Sequence, residues 1–292
     1  MMVLAGMALT VVMVFGGYTI AGGKMAIVMA ALPFEMMIIG GSSIGAFLVS
    51  NSAATIRHTL SDLGRILKGP RFGRQDYLDL LCFLYELLRL ANSRPAQLEE
   101  AVEAPGSHPL FQRYPKIAND PMAVALICDC MRASSMNYDD PLQVDEVLNR
   151  DLAQIEHRLE ESSEALSRMA DALPALGIVA AVLGVVKTMS SIDQPPEILG
   201  KMIGGALVGT FLGVFLAYTA VGPFAARVKA INDGDLRFYA LIRDALVAHL
   251  QKHSAALCIE AARKSIGHEV RPSFEQVETA IRSLGPNLTV AA

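Results

Sequence analysis

Long stretches without charged residues divide the chain into apolar and polar parts. No Asp, Glu, Lys or Arg occurs in residues 1–23, 36–56, 172–186 or 202–226. A helix needs about 20 apolar residues to cross the hydrocarbon core of a bilayer. The third stretch is shorter, but Lys187 at its end can extend its long side chain to the headgroups. The pattern therefore predicts four transmembrane helices, with Glu35 at the edge of the second.

Basic residues cluster at one end of each predicted pair of spans. They follow the second and fourth spans at Arg57, Arg65, Lys68, Arg71, Arg74, Arg227, Lys229, Arg237 and Arg243. The turns inside the two hairpins hold Lys24, Lys187 and Lys201 as their basic residues. Because basic residues accumulate on the cytoplasmic side of a membrane, we expect both hairpin turns to face outward and both termini to be cytoplasmic.

This arrangement predicts an all-α membrane protein with four transmembrane helices. A helical cytoplasmic domain lies between spans two and three, and a helical cytoplasmic tail follows span four. The predicted parts are a transmembrane hairpin (1–51), a cytoplasmic domain (52–171), a second hairpin (172–226) and a tail (227–292).

The polar segments carry helix signals of their own. Residues 77–91 are rich in leucine, as expected of a buried helix. Asp120 before Pro121, and Asp140 before Pro141, each combine a capping carboxylate with proline in the first turn. After Asp140, apolar residues recur at intervals of three and four, which predicts a long amphipathic helix running into the third span.

Small residues form stripes along the last two spans. Gly205, Gly209 and Gly213 recur every four residues in span four, while Gly177 and Gly184 give span three a small face. Such stripes let membrane helices approach closely. The close contact could lie within one subunit or against a partner helix, and the sequence leaves both open.

Three residues in the spans are candidates for an ion path. Pro174 and Pro223 lie near the cytoplasmic ends of spans three and four, where proline either ends a helix or marks a hinge. The Thr210 hydroxyl could bond to its own helix or line a hydrated path. Spans three and four contain no Asp, Glu or His. Since membrane proton relays use such groups, a second chain would have to supply the titrating carboxylate.

Composition excludes several other classes of function. The chain is 52% hydrophobic and 18% charged, with mean hydropathy +0.38 and net charge −4, so no basic field favours nucleic acid. The four cysteines lack zinc-site spacing, and His249 with His253 forms only half a metal site. No P-loop or nucleophile elbow is present. We therefore expect no metal, no organic cofactor and no enzymatic activity.

Two motifs resemble the MotA family of flagellar motor proteins. The segment LPALGIVAAVLGVV at 173–186 resembles the third span of that family, and VGTFLG at 208–213, followed by Tyr218 and Pro223, resembles the fourth. Weaker similarities are FGGY at 15–18, Phe111 with Tyr114-Pro115, and RPSF at 271–274. The similarity extends over nearly the whole chain.

The resemblance implies a stator subunit of the bacterial inner membrane. Members form a ring of five around a MotB-type partner, whose membrane aspartate binds the passing ion. Pro174, Thr210 and Pro223 fall on family positions facing the ion site, and Ala181 replaces the threonine of sodium-driven relatives, which implies protons. Rotor contact, with the protein FliG, is implied for Glu99 together with Arg94 or Arg89.

Two alternatives predict different patterns. An energiser of the ExbB/TolQ type has one span before its large cytoplasmic domain, whereas this sequence predicts two. A secondary transporter would carry internal repeats and polar groups at mid-membrane, whereas spans three and four carry small residues. Both alternatives are therefore less favoured than the stator.

Overall fold

A computed structural model of the chain describes residues 2–135 and 141–284. Every regular element in those ranges is helical. In chain order they are α1 (Met2–Ile20), α2 (Met25–Glu35), the π-helical turn π1 (Met36–Gly40), α3 (Gly41–Ser50), α4 (Ala53–Arg65), α5 (Arg74–Ser93), α6 (Pro95–Glu103), α7 (Pro109–Gln112), α8 (Pro115–Ala118), α9 (Pro121–Ser135), α10 (Pro141–Met189), α11 (Pro196–Leu216), the π-helical turn π2 (Ala217–Val221), α12 (Gly222–Leu250), α13 (Ala255–Ser265) and α14 (Phe274–Ser283).

Four helical segments are long and apolar enough to cross a membrane. They are Met2–Ile20, Met25–Ser50, Leu142–Met189 and Pro196–Leu250. The predicted number of spans is confirmed, and the chain is a multi-pass membrane protein.

The second span differs from its predicted position. Its helix begins at Met25 and ends at Ser50, whereas the sequence pattern predicted residues 36–56. Ser52 then starts α4, where its hydroxyl accepts the Thr55 backbone N–H at 3.1 Å. The prediction of Glu35 at the edge of the span is wrong. Glu35 lies within the helix Met25–Ser50 and is only 7% exposed, so the charge-free stretch underestimates the length of the span.

Two helices continue well beyond the spans they contain. The 49-residue α10 runs through Pro174, which confirms the predicted amphipathic helix leading into the third span. The fourth span lies in a helical stretch that runs unbroken from Pro196 to Leu250. Neither Pro174 nor Pro223 ends its helix, so the interpretation as helix ends is wrong, while the hinge stays a prediction.

The helix starts predicted from Asp-Pro pairs have two different outcomes. Asp120 caps α9 as predicted, because its Oδ1 accepts the backbone N–H groups of Met122 and Ala123 at 3.0 and 3.2 Å. The other capping residue, Asp140, lies outside the described residues.

The chain divides into two compact units, whose bounds differ from those of the four predicted parts. The first unit comprises Met1–Gly69 and Leu159–Ile231, and the second comprises Pro70–Arg158 and Asn232–Ala292. The first unit thus includes α4 and helical residues next to the spans, because the span helices continue past their apolar stretches. The membrane boundaries given by the predicted parts stay predictions.

The second unit has a core of its own built around α5. The predicted leucine-rich helix is confirmed, and five of its leucines are fully buried, namely Leu80, Leu81, Leu84, Leu87 and Leu88. Each such burial stabilises the fold by roughly 1.5–3 kcal/mol. The rings of Phe72 and Phe238 stack with centroids 3.7 Å apart, which joins residues far apart in sequence within this unit.

A buried carboxylate of α5 is fully partnered. Glu86 accepts hydrogen bonds from the Arg113 guanidinium at 2.7 Å and from the Tyr114 hydroxyl at 2.9 Å. Burial, followed by the neighbouring Glu86 carboxylate, raises the pKa of the Tyr114 hydroxyl above its ordinary value. Tyr114 therefore stays a neutral hydrogen-bond donor at any physiological pH.

Candidate ion-path site

Helices α10 and α11 touch backbone to backbone inside the first unit. A Cβ added at Gly213 would lie 2.6 Å from the Leu173 carbonyl oxygen and 2.8 Å from the Cα of Gly177. A Cβ added at Gly177 would lie 2.9 Å from the Gly209 carbonyl oxygen. Only glycine fits at such distances, so these three glycines form a seam between the two helices.

The seam continues toward the turn between α10 and α11, but it does not include the whole predicted stripe. A Cβ at Gly184 would meet the Ala206 Cβ at 2.6 Å. Gly205 instead faces α2, where an added Cβ would lie at ordinary contact distance, 3.8 Å, from the Ala31 Cβ. These contacts pack α10 and α2 against α11 within the chain.

The carboxyl group of Glu35 occupies the space beside Gly209. A Cβ added at Gly209 would lie 2.5 Å from the Glu35 Oε2 and 3.2 Å from the Ala180 Cβ. Three helices, α2, α10 and α11, therefore meet at this point around one carboxyl group. The Glu35 Oε2 is buried and has no hydrogen-bond partner among the described residues.

The backbone of the second span is irregular beside Glu35. Pro33 lies inside α2 and lacks a backbone donor, and the π-helical turn π1 begins directly after Glu35. A second π-helical turn, π2, directly precedes Gly222 and Pro223 in the fourth span. Single π turns inside α-helices occur frequently at functional sites.

The predicted ion-path residues differ in their surroundings. Thr210 follows Gly209 and is half-buried. Its hydroxyl makes no hydrogen bond to another described residue, whereas Thr188 and Thr219 each bond to the carbonyl of the preceding helical turn. Bonding to its own helix is thus not observed for Thr210. Pro174 and Ala181 are half-buried on α10, and Pro223 is exposed.

The predicted rotor-contact residues are all exposed on the second unit. Glu99 lies in α6, and Arg94 immediately precedes that helix, with its Nη1 donating to the Gln97 Oε1 at 3.3 Å. Arg89 lies in α5, with its guanidinium 5.8 Å from the centre of the Tyr85 ring. The geometry leaves the choice between Arg94 and Arg89 open.

Glu35 is the site residue that the sequence analysis missed. Two signals could have found it. The uncharged residues 25–34 before it are long enough to belong to the same span, and Gly22-Gly23 marks the turn that precedes them. Gly22 has φ +83° there, a conformation that favours glycine. A single charge inside an apolar stretch is best interpreted as a functional residue of the span.

Comparison with known proteins identifies the family. A model described as motility protein A N-terminal matches residues 4–95, and one described as the MotA/TolQ/ExbB proton channel family matches residues 119–238. Motility protein A of Salmonella typhimurium is 31% identical over 98% of this chain and 97% of its own length. The chain belongs to the motility protein A family. Motility protein A of Escherichia coli is 32% identical over 97% of the chain and 96% of its own length.

Solved structures show the same fold. The MotAB structure from C. jejuni aligns with a TM-score of 0.70 and 18% identity, covering 93% of this chain and 98% of the matched chain. The flagellar MotAB stator complex from Bacillus subtilis aligns with a TM-score of 0.66 and 18% identity, with the same coverage. The chain therefore shares its all-α fold with these two MotAB structures.

Proposed function

We propose that the chain is the stator subunit of a flagellar motor. With a MotB-type partner, it would couple proton flow across the bacterial inner membrane to torque on the rotor. The observation that carries this proposal is the near full-length relation to motility protein A of two enteric bacteria. Two spans precede Pro70, where the second unit begins. Proteins of the ExbB/TolQ type have one span before their large cytoplasmic domain. No covalent chemistry is required for this function.

The site supports ion transfer at the boundary with a partner chain. The Thr210 hydroxyl is half-buried without a partner among the described residues, which makes it available to water or to an ion-carrying group. Ala181 on α10 gives no oxygen ligand for a dehydrated sodium ion, and oxygen atoms are what hard cations require. This supports the proton as the coupling ion, and the lack of Asp, Glu or His in spans three and four supports a MotB-type aspartate as its carrier.

The same relation supports a proposed assembly. Five copies would surround the partner's membrane helices, with both hairpin turns outside and both termini in the cytoplasm. The basic residues after the second and fourth spans support this orientation. The exposed positions of Glu99, Arg94 and Arg89 on the second unit support charged contacts with the rotor protein FliG.

The coupling ion is tested by rescue of swimming. Cells without their own stator genes would express this chain and its MotB-type partner, and swimming speed would be recorded as the proton gradient is collapsed at fixed sodium. We expect rotation to stop with the proton gradient and to persist without sodium. Rotation that depends on sodium would refute the proton, and restored outer-membrane import without swimming would refute the stator.

The rotor contact is tested in the same cells by Glu99→Lys. We expect a loss of swimming at normal protein level, because the reversed charge repels the complementary residue of the rotor, with recovery when that rotor residue is reversed too. Glu156→Lys is the matched control, since Glu156 is exposed on a different helix, α10. Normal swimming of the Glu99→Lys cells would remove Glu99 from the contact.

A further inference from the structure

We propose that Glu35 is a proton-exchanging carboxyl of this chain, reached by water through a cavity that extends to the two hairpin turns. The inference rests on the proposed function and adds to it a titrating group in the subunit itself. The apolar pattern of spans three and four alone predicts such a group only in the partner chain.

The first observation is the burial of Glu35 without a partner. Its side chain is 7% exposed, and its Oε2 has no hydrogen-bond partner among the described residues. An ionised carboxylate in an apolar interior needs a counter-charge or hydrogen bonds, and without them it takes up a proton. The neighbouring Gly209 and Ala180 provide neither, so the surroundings favour the neutral acid.

The second observation is the depth of Glu35 in the span. The helix α2 has 11 residues, the last of which is Glu35, and this length corresponds to roughly 16 Å at 1.5 Å per residue. The hydrocarbon core of a bilayer is about 30 Å thick. Glu35 therefore lies well inside the membrane, where ionisable residues usually mark ion pathways.

The third observation is a cavity of about 480 Å³ that ends at Glu35. Its lining includes Ala26 at the start of α2, Lys187 and Thr188 near the end of α10, and Lys201 in the first turns of α11. These residues lie next to the two hairpin turns. The cavity thus runs along α2 from the turns to the carboxyl group, and it is large enough for several water molecules.

The charged groups that line the cavity with Glu35 are the two lysines. Lys187 faces it from α10 and Lys201 from α11, and the other residues that line it on α2, α10 and α11 are uncharged. The two lysines lie near the hairpin turns, away from the Glu35 end of the cavity, so burial against Gly209 is the effect that acts on the carboxyl group, and it favours the neutral acid. A change in these surroundings during transport would therefore change the protonation state of Glu35.

The proposed step is a simple proton exchange. The Glu35 carboxylate takes one proton from hydronium in the cavity and leaves a water molecule. The neutral acid later returns that proton to water or to an acceptor in the partner chain. No electron transfer or covalent bond to another molecule is involved, so the step is balanced.

The inference is tested by carbodiimide labelling of the full chain with its MotB-type partner in sealed membrane vesicles. Dicyclohexylcarbodiimide adds to protonated carboxyl groups in apolar surroundings, and peptide mass spectrometry locates the adduct. We expect labelling of Glu35 that decreases as the pH is raised on the side of the hairpin turns. Exposed Glu197, in the first turn of α11, is the control and should stay unlabelled. The proposal would be overturned if Glu35 stayed unlabelled, or if its labelling were independent of the pH on the side of the hairpin turns.

Proton flux into the same vesicles provides the second measurement. We expect Glu35→Gln to reduce the flux at least tenfold, Glu35→Asp to retain part of it, and Glu197→Gln to leave it unchanged. Normal flux in the Glu35→Gln protein would refute the role in transport while the stator function stands. If the unsubstituted protein carries no proton flux but Glu35 is labelled with the expected pH dependence, the proposed function fails and the exchangeable carboxyl stands.

Discussion

Replacing Gly213 by alanine tests whether α10 and α11 are held in backbone contact. The added Cβ would lie 2.6 Å from the Leu173 carbonyl oxygen, whereas ordinary contact begins at 3.4 Å. The obstacles are backbone atoms of α10, including the Cα of Gly177 at 2.8 Å, and these cannot rotate away. The two helices would have to separate by several tenths of an ångström along the seam.

The expected cost follows from this overlap. Overpacking of a tight interior costs about 1–3 kcal/mol, and alanine recovers up to about 1 kcal/mol through its higher helix propensity. Gly205→Ala is the matched control on the same helix, since its Cβ would have ordinary contact with Ala31 at 3.8 Å. It should therefore be neutral or stabilising.

The assay is thermal unfolding of the purified full chain with its partner, followed by circular dichroism, alongside swimming in soft agar. The middle of the overpacking range, less the gain in helix propensity, leaves a net cost of about 1 kcal/mol. We therefore expect Gly213→Ala to lower the unfolding temperature by about 2–4 °C, from a shift of roughly 2–4 °C per kcal/mol in chains of this size, and to reduce swimming. Gly205→Ala should leave the unfolding temperature unchanged or raise it. Equal stability of the two variants would refute the backbone-contact seam.

Two further predictions concern the second unit. Tyr114→Phe should lower the free energy of unfolding by about 1–3 kcal/mol, because the buried Glu86 carboxylate loses the hydroxyl that it accepts at 2.9 Å. Unchanged thermal stability would show that Arg113 alone satisfies Glu86. Burial lowers the pKa of His249 below its ordinary value of 6.5. Below about pH 6.5 the unfolded chain therefore binds a proton at this residue that the folded chain does not bind. The free energy of unfolding should thus fall as the pH drops below about 6.5. His249→Leu should flatten this dependence between pH 5 and 7.5, and parallel pH profiles of the two proteins would contradict it.

The features that could be predicted from the sequence are those that depend on residues close together in the chain. A helix that crosses a bilayer needs an unbroken apolar stretch, and α10 needs apolar residues at helical spacing, so the span number and the long helix could be read directly. The Asp120 cap is local as well, since its side chain bonds to N–H groups two and three residues ahead.

The features that escaped prediction depend on contacts between helices. Spacing places Gly205, Gly209 and Gly213 on one stripe, but it does not reveal that Gly213 and Gly209 meet α10 while Gly205 faces α2. The contact of the Glu35 carboxyl group with Gly209 escaped for the same reason, whereas the depth of Glu35 could have been inferred from the uncharged residues 25–34 before it. A carboxyl group is tolerated inside a span only where a neighbouring helix offers space, and that space comes from a glycine distant in sequence.

Gly209 links the packing of the spans to the titration of Glu35. Its carbonyl oxygen is in close contact with Gly177 on α10, while its missing side chain leaves room for the Glu35 carboxyl from α2. A shift of α10 against α11 along the glycine seam would therefore change the space and the dielectric surroundings of that carboxyl. Proton uptake at Glu35 would in turn change the charge at the point where the three helices meet. The proposed proton-driven function requires coupling between a protonation state and a small helix displacement, and the junction of the three helices at Gly209 would supply that coupling within one chain.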